Sequence, residues 1–214
     1  MSRHQDLDRV LQSGIVAVVR SPDSHQLVEV AKALADGGVT VMEITFSVPN
    51  ALEVIRQVRQ ALGDRILLGA GTVLDPETAR AAILAGAELI VSPTLNFEVI
   101  RLCHRYDKLV MPGSFSPTEI LAAWDAGADI VKVFPADVVG PAFFKALRGP
   151  LPQIRVMPTG GVDLNTAADF LKAGACCLGI GGQLVDPKAV AVGNFDRIRD
   201  LARQYIEIVK KTRT

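Results

Sequence analysis

The chain lacks an excess of charge of either sign: 23 lysines and arginines balance 23 aspartates and glutamates over 214 residues. That balance removes any general attraction for nucleic acid or anionic membrane, so recognition of a phosphate has to be local. Long apolar runs are missing too. None approaches the roughly 18 residues of a membrane span, and the opening "MSRHQDLDRVLQSG" is charged, without an apolar signal core. Cysteine is sparse. Cys103, Cys176 and Cys177 are odd in number, two are adjacent, and no CxxC pair exists, which argues against a disulfide framework and a zinc knuckle. His4, His25 and His104 fall in polar, helix-like segments without HxxxH spacing, so they read as surface residues and no metal is expected. The expected location is the cytoplasm, with neither nucleic acid nor membrane as partner.

What is present is alternation. Short apolar strands recur about every 20 to 25 residues: "IVAVV" at 15, "VTVMEIT" at 39, "ILLGA" at 66 and "LIVS" at 89 come first. "LVMPG" at 109, "IVKVF" at 130, "RVMPT" at 155 and "CLGIG" at 177 follow. Amphipathic segments such as "SHQLVEVAKALADGG", "PNALEVIRQVRQALG" and "DPETARAAILAGA" lie between them. The last opens with Asp75 as N-cap and Pro76 in the first turn, and the "AGA" and "ADGG" endings offer glycine C-caps. Such alternation predicts a parallel sheet wrapped by helices. Eight strands fit an α/β fold of the (β/α)8 TIM-barrel type, as one domain over residues 1–214 with an N-terminal helix. A doubly wound open sheet is the rival, and "AVVRSPDS" stands where its GxGxxG would follow the first strand.

In a barrel the site lies at the C-terminal ends of the strands. Those ends carry Arg20, Glu43 with Thr45, Thr72, Pro93, Lys132, Thr159, and the glycines of "MPTGG" and "GIGG". Two of these residues are out of place in buried strands. A period of two puts Glu43 with Val41 and Thr45, and Lys132 with Ile130 and Phe134, on the faces expected to point into the barrel. A buried ion pair, or a lysine snorkelling to the rim, would be the purely structural account. Chemistry offers another. A lysine among apolar walls has its ammonium disfavoured, and the free amine can attack a ketone to form a Schiff base. A neighbouring carboxylate can shuttle the protons of that reaction. The paired glycines after the seventh and eighth strands either turn the chain or hold a phosphate on backbone N–H groups and a helix N-terminus.

At these residues, chiefly "GGVTVMEITF", "GAGTVL", "VKVFPA" and "MPTGG", the sequence resembles the 2-dehydro-3-deoxy-phosphogluconate (KDPG) and 4-hydroxy-2-oxoglutarate (KHG) aldolases. The resemblance runs from "GIVAVVR" to the last helix. It implies a class I, metal-independent aldolase on a (β/α)8 barrel, with no cofactor beyond the Schiff base. It implies Lys132 as the Schiff-base lysine, Glu43 as the proton shuttle, Thr72 and Thr159 lining a pyruvate pocket, and Pro93 on a loop against the substrate. Thr45, Ser47 and Phe134 are expected in the same substrate-binding set. Gly160, Gly161 and Gly181 match the phosphate-binding glycines, and a homotrimer is the implied assembly. Two departures stand out. Ser47 occupies the place where many members carry an arginine for the pyruvate carboxylate, which points to Arg20 for that task. Gly182 stands where many have a serine, leaving one phosphate contact open.

The implied reaction is reversible cleavage of 2-dehydro-3-deoxy-6-phosphogluconate to pyruvate and glyceraldehyde 3-phosphate. Alternatives are cleavage of 4-hydroxy-2-oxoglutarate or a stereoisomeric sugar acid. A phosphate-binding barrel isomerase or decarboxylase would use the same glycines without needing the lysine. A non-catalytic metabolite-binding barrel would keep the glycines and not the Lys–Glu pair.

Overall fold

Helix α1 (Arg3–Ser13) starts at a capping box, in which Ser2 and the Gln5 side chain each satisfy the other's backbone N–H. Gly14, at φ 69°, ends it in a left-handed turn. The structure, a computed structural model, describes residues 2–213; Met1 and Thr214, the ends of the expected domain, lie outside the described residues. Nine short strands follow: β1 (Ile15–Val19), β2 (Val41–Thr45), β3 (Leu67–Gly71), β4 (Leu89–Val91), β5 (Leu109–Met111), β6 (Gly113–Ser114), β7 (Val131–Val133), β8 (Val156–Pro158) and β9 (Leu178–Ile180). Helices α2 (Leu27–Asp36), α3 (Ala51–Leu62), α4 (Pro76–Ala85), α5 (Phe97–Arg105), α6 (Pro117–Asp125), α7 (Ala136–Leu147) and α8 (Ala167–Lys172) connect them, and α9 (Pro187–Ala191) and α10 (Phe195–Arg213) close the described chain.

Every strand pairing is parallel, as the alternation predicts. The ladder runs in two sheets, however: six strands in the order β5-β4-β3-β2-β1-β9, and three in the order β6-β7-β8. One interruption has a plain cause. Pro112 separates β5 from β6 and has no N–H to give a ladder, while its carbonyl accepts from Lys132 N at 2.9 Å. At the other seam a parallel bridge joins Thr159 to Gly179.

The alternation within strands sorts two cores. Val16, Val41, Leu67, Leu89, Leu109, Ile130, Met157 and Cys177 form an inner cluster, plugged from below by Val10 of α1. Their neighbours, among them Ala17, Met42, Leu68, Ile90, Val131 and Leu178, pack outward on the helices. Facing both layers, the strands are buried on both sides and read as continuous apolar runs. Along β2 and β7 the inner positions after Val41 and Ile130 are Glu43 and Lys132, so the strand period itself carries both inward.

Local signals hold with two corrections. Asp75 caps α4, accepting from Thr78 N at 2.6 Å, and Gly86 ends it at φ 110°. At the end of α2, Gly37 stays right-handed and Gly38 makes the left-handed turn, at φ 95°. His4 and His25 are exposed, but His104 is half-buried, its Nε2 2.9 Å from the Gly127 carbonyl. That bond gives the ring a structural partner between α5 and α6. No described helix is long and apolar enough to cross a membrane.

Candidate active site

β2 delivers Glu43 to a place with no solvent and no partner. Its residue exposure is 0 %, and neither carboxylate oxygen has a hydrogen bond. β7 delivers Lys132, 5 % exposed, with Nζ 5.3 Å from the centroid of the Phe134 ring. Burial pushes the Glu43 carboxyl above its ordinary range, while the cations Lys132 and Arg20 pull it down. Burial likewise holds the Lys132 ammonium below its usual range; Glu43 opposes that shift and Arg20 reinforces it. In both residues desolvation is the largest effect. It favours the neutral amine and the neutral acid, the forms suited to nucleophilic attack and proton donation.

Thr45, fully buried at the end of β2, sends its hydroxyl toward the Val19 carbonyl at 3.3 Å. It shares a 2.7 Å hydrogen bond with the exposed Ser47. Thr72 is half-buried and holds φ 58°, an unusual conformation for a β-branched residue. Such strain concentrates at functional positions. Pro93 is half-buried and packs so closely on Gly113 that no Cβ fits there.

Seven of the predicted residues share one cavity of about 410 Å³: Arg20, Phe134, Thr159, Gly160, Gly161, Gly181 and Gly182, with Val18, Gln183 and Pro187 among the other residues lining it. Its size suits a small organic substrate. Lys132, Glu43, Thr45, Ser47, Thr72 and Pro93 are not on its lining. Arg20 connects the two groups, lining the cavity while acting electrostatically on both Glu43 and Lys132. The Thr159 hydroxyl is buried without a partner.

The glycine loops divide. Gly160 and Gly161 need glycine for their backbone, at φ 96° and 67°. Gly181 and Gly182 need it for neither φ nor space: nothing lies within 4 Å of a Cβ at Gly181, and Pro187 Cδ is 3.8 Å from one at Gly182. Asp163 accepts from the N–H groups of Asn165 and Thr166 ahead of α8, and Asp186 accepts from Lys188 N in α9. An aspartate of the chain thus stands beside each of these helix starts.

Sequence reasoning missed two glycines. A Cβ on Gly71 would lie 2.6 Å from Glu43 Cδ, and one on Gly179 would collide with the Thr159 hydroxyl. The "GAG" and "GIGG" runs carried that signal, since glycine inside a strand often marks a close approach. Among the described residues no group of three or more His, Cys, Asp or Glu could hold a metal ion.

The sequence profile of an aldolase family, described as KDPG and KHG aldolase, matches residues 7–201. The chain belongs to that family. The aldolase is 39 % identical over 205 residues to a 2-dehydro-3-deoxy-phosphogluconate aldolase of Treponema pallidum, covering 95 % of each chain. It is 36 % identical over 171 residues to a 2-dehydro-3-deoxy-6-phosphogalactonate aldolase of Escherichia coli, covering 79 % of this chain and 83 % of that one. Among solved structures, a KDPG aldolase from Legionella pneumophila with pyruvate captured as a covalent carbinolamine superposes with a TM-score of 0.86. It is 27 % identical and covers 92 % of this chain and 96 % of that one.

Proposed function

We propose that this aldolase reversibly cleaves 2-dehydro-3-deoxy-6-phosphogluconate to pyruvate and glyceraldehyde 3-phosphate through a Schiff base on Lys132. The observation that carries the reading is a buried lysine with its ammonium disfavoured, coupled to a buried carboxyl that has no hydrogen bond. Neutral Lys132 attacks the C2 ketone, and the carbinolamine hydroxyl takes the proton of the neutral Glu43 carboxyl and leaves as water, giving the protonated imine. Glu43 as carboxylate takes the proton of the C4 hydroxyl. The C3–C4 bond then breaks, its electron pair passes into the imine to give an enamine, and the aldehyde leaves. Glu43 returns the proton to C3, and water releases pyruvate and the free lysine. Each proton leaves and re-enters through one carboxyl, a task typical of a positioned acid–base group.

Arg20 holds the carboxylate of the keto acid in place of the arginine that Ser47 replaces. Thr45, Ser47, Thr72, Pro93, Phe134 and Thr159 shape the pyruvate end. Gly160, Gly161, Gly181 and Gly182 take the phosphate at the far end of the cavity. The two sheets act as one (β/α)8 barrel and one domain, a reading supported by the Thr159–Gly179 bridge and by Pro112 as the only residue between β5 and β6. The family resemblance supports a homotrimer, to be read by sedimentation, and a cytoplasmic location. A second reading of the substrate, the stereoisomeric 2-dehydro-3-deoxy-6-phosphogalactonate, is favoured by the Escherichia coli relative.

Incubation with pyruvate and borohydride tests the mechanism. It should add one reduced pyruvate per chain, mapped to the peptide bearing Lys132 and absent in Lys132→Ala. An adduct elsewhere, or none, overturns the Schiff-base reading. Initial rates on the two phosphorylated sugar acids and on 4-hydroxy-2-oxoglutarate decide the substrate.

A further inference from the structure

We infer that Gly71 is a positioning residue for Glu43, keeping open the space that the carboxylate must occupy beside Lys132. A strand interior normally favours alanine over glycine, so a glycine there calls for a reason. β3 has two on its inner face, and their reasons differ. A Cβ on Gly69 would meet the backbone carbonyl of Leu89 at 2.8 Å, so Gly69 serves the close approach of β4. Around Gly71 the three nearest heavy atoms all belong to one carboxylate: Glu43 Cδ and Oε1 at 2.6 Å and Oε2 at 3.1 Å.

The backbone at Gly71 makes no demand of its own. Its φ lies outside the left-handed region. Its carbonyl accepts from Phe46 N at 2.8 Å, and Thr45 is its register partner on β2. Alanine therefore fits the backbone, and the group in its way is the end of a flexible side chain. In Gly71→Ala the strand stays and Glu43 moves. The carboxylate has no hydrogen bond to hold it against that push. Displacement by about 1 Å is enough to cost roughly 10²-fold in a positioned proton transfer.

The inference rests on the reading of Glu43 as the proton carrier, and one experiment separates the two. The exchange of pyruvate methyl protons with deuterated solvent, followed by NMR, requires the Schiff base and then a base to take the proton. Wild type, Glu43→Gln, Gly71→Ala, Glu43→Asp and Gly71→Ala/Glu43→Asp are compared for exchange, for the borohydride adduct and for Tm. Gly71→Ala should keep its adduct and exchange about 10²-fold more slowly. Glu43→Asp alone should also be slow, because its carboxylate retreats from Lys132. The double variant should exchange faster than Gly71→Ala, since the shorter acid vacates the space that the new methyl takes. This non-additivity is what a shared steric contact produces. Fast exchange in Glu43→Gln overturns the reading of Glu43 itself. Slow Glu43→Gln beside a wild-type-like Gly71→Ala overturns only the positioning role, as does a double variant no faster than Gly71→Ala. Should Gly71→Ala melt early, recovery of Tm and exchange in the double variant supports the inference. A double variant equally unstable overturns it, because the clash would then lie elsewhere.

Discussion

At Lys132 two effects of opposite sign meet: burial disfavours the ammonium, and Glu43 favours it. Replacing Glu43 by glutamine removes the second and leaves the first, so the lysine falls further below its usual range. In Glu43→Gln, formation of the pyruvate adduct should therefore extend to lower pH than in wild type, as a pH profile of borohydride trapping would show. Turnover should fall by about 10²- to 10⁴-fold, because the amide keeps the shape and cannot carry the proton. An acid limb that stays put would mean that Glu43 exerts no charge on the lysine. Both residues were legible beforehand, since a charged side chain within an apolar, period-two strand has few explanations. Gly71 and the φ of Thr72 were not. One depends on how close a side chain from the neighbouring strand comes, which a glycine inside a strand signals without naming that neighbour; the other depends on a backbone turn that leaves no pattern in residue order.

Elements were legible to a similar depth. Strands and helices fell where apolar alternation and caps placed them, whereas "LVMPG" reads as one strand and the structure breaks it at Pro112. The polar face of α1 concealed more. Asp6 looked like one more charge in "RHQDLDRV", yet it is 1 % exposed and both its oxygens lack partners. Packing of α1 beneath the strands puts it there, close enough to feel Glu88, Lys108 and Arg9. Burial, then Glu88, raise its carboxyl above the ordinary range, and Lys108 and Arg9 only partly offset them. The sign follows from linkage. A raised folded value means that the stability Asp6 contributes is complete below its unfolded pKa of about 3.9 and is lost as pH rises through the folded value. Asp6→Asn does not titrate, so its Tm relative to wild type should increase from about pH 4 upward and then level off. Thermal melts of both proteins across pH 4 to 8 check this; a constant difference would place Asp6 in contact with water.

Over the whole molecule the charges cancel, so nothing draws a sugar phosphate in from afar, and preference for phosphate has to arise in the loops. Gly182 is the place to measure it. Space is open around a Cβ there, so Gly182→Ser should fold unchanged and add a hydroxyl donor. One hydrogen bond to a charged group is worth about 1.5 to 3 kcal/mol. The ratio of kcat/KM for phosphorylated over unphosphorylated substrate should then rise about ten- to a hundredfold. A ratio that does not move places the phosphate elsewhere. The cavity that would be altered is lined by Arg20, Phe134 and the segments after β8 and β9, while Lys132 and Glu43 stay off its lining. Bond-making and choice of partner thus occupy separate stretches of chain. A lineage, or a laboratory selection, can rewrite residues 160–162 and 181–187 to admit a different aldehyde while the same carbon–carbon chemistry is inherited intact.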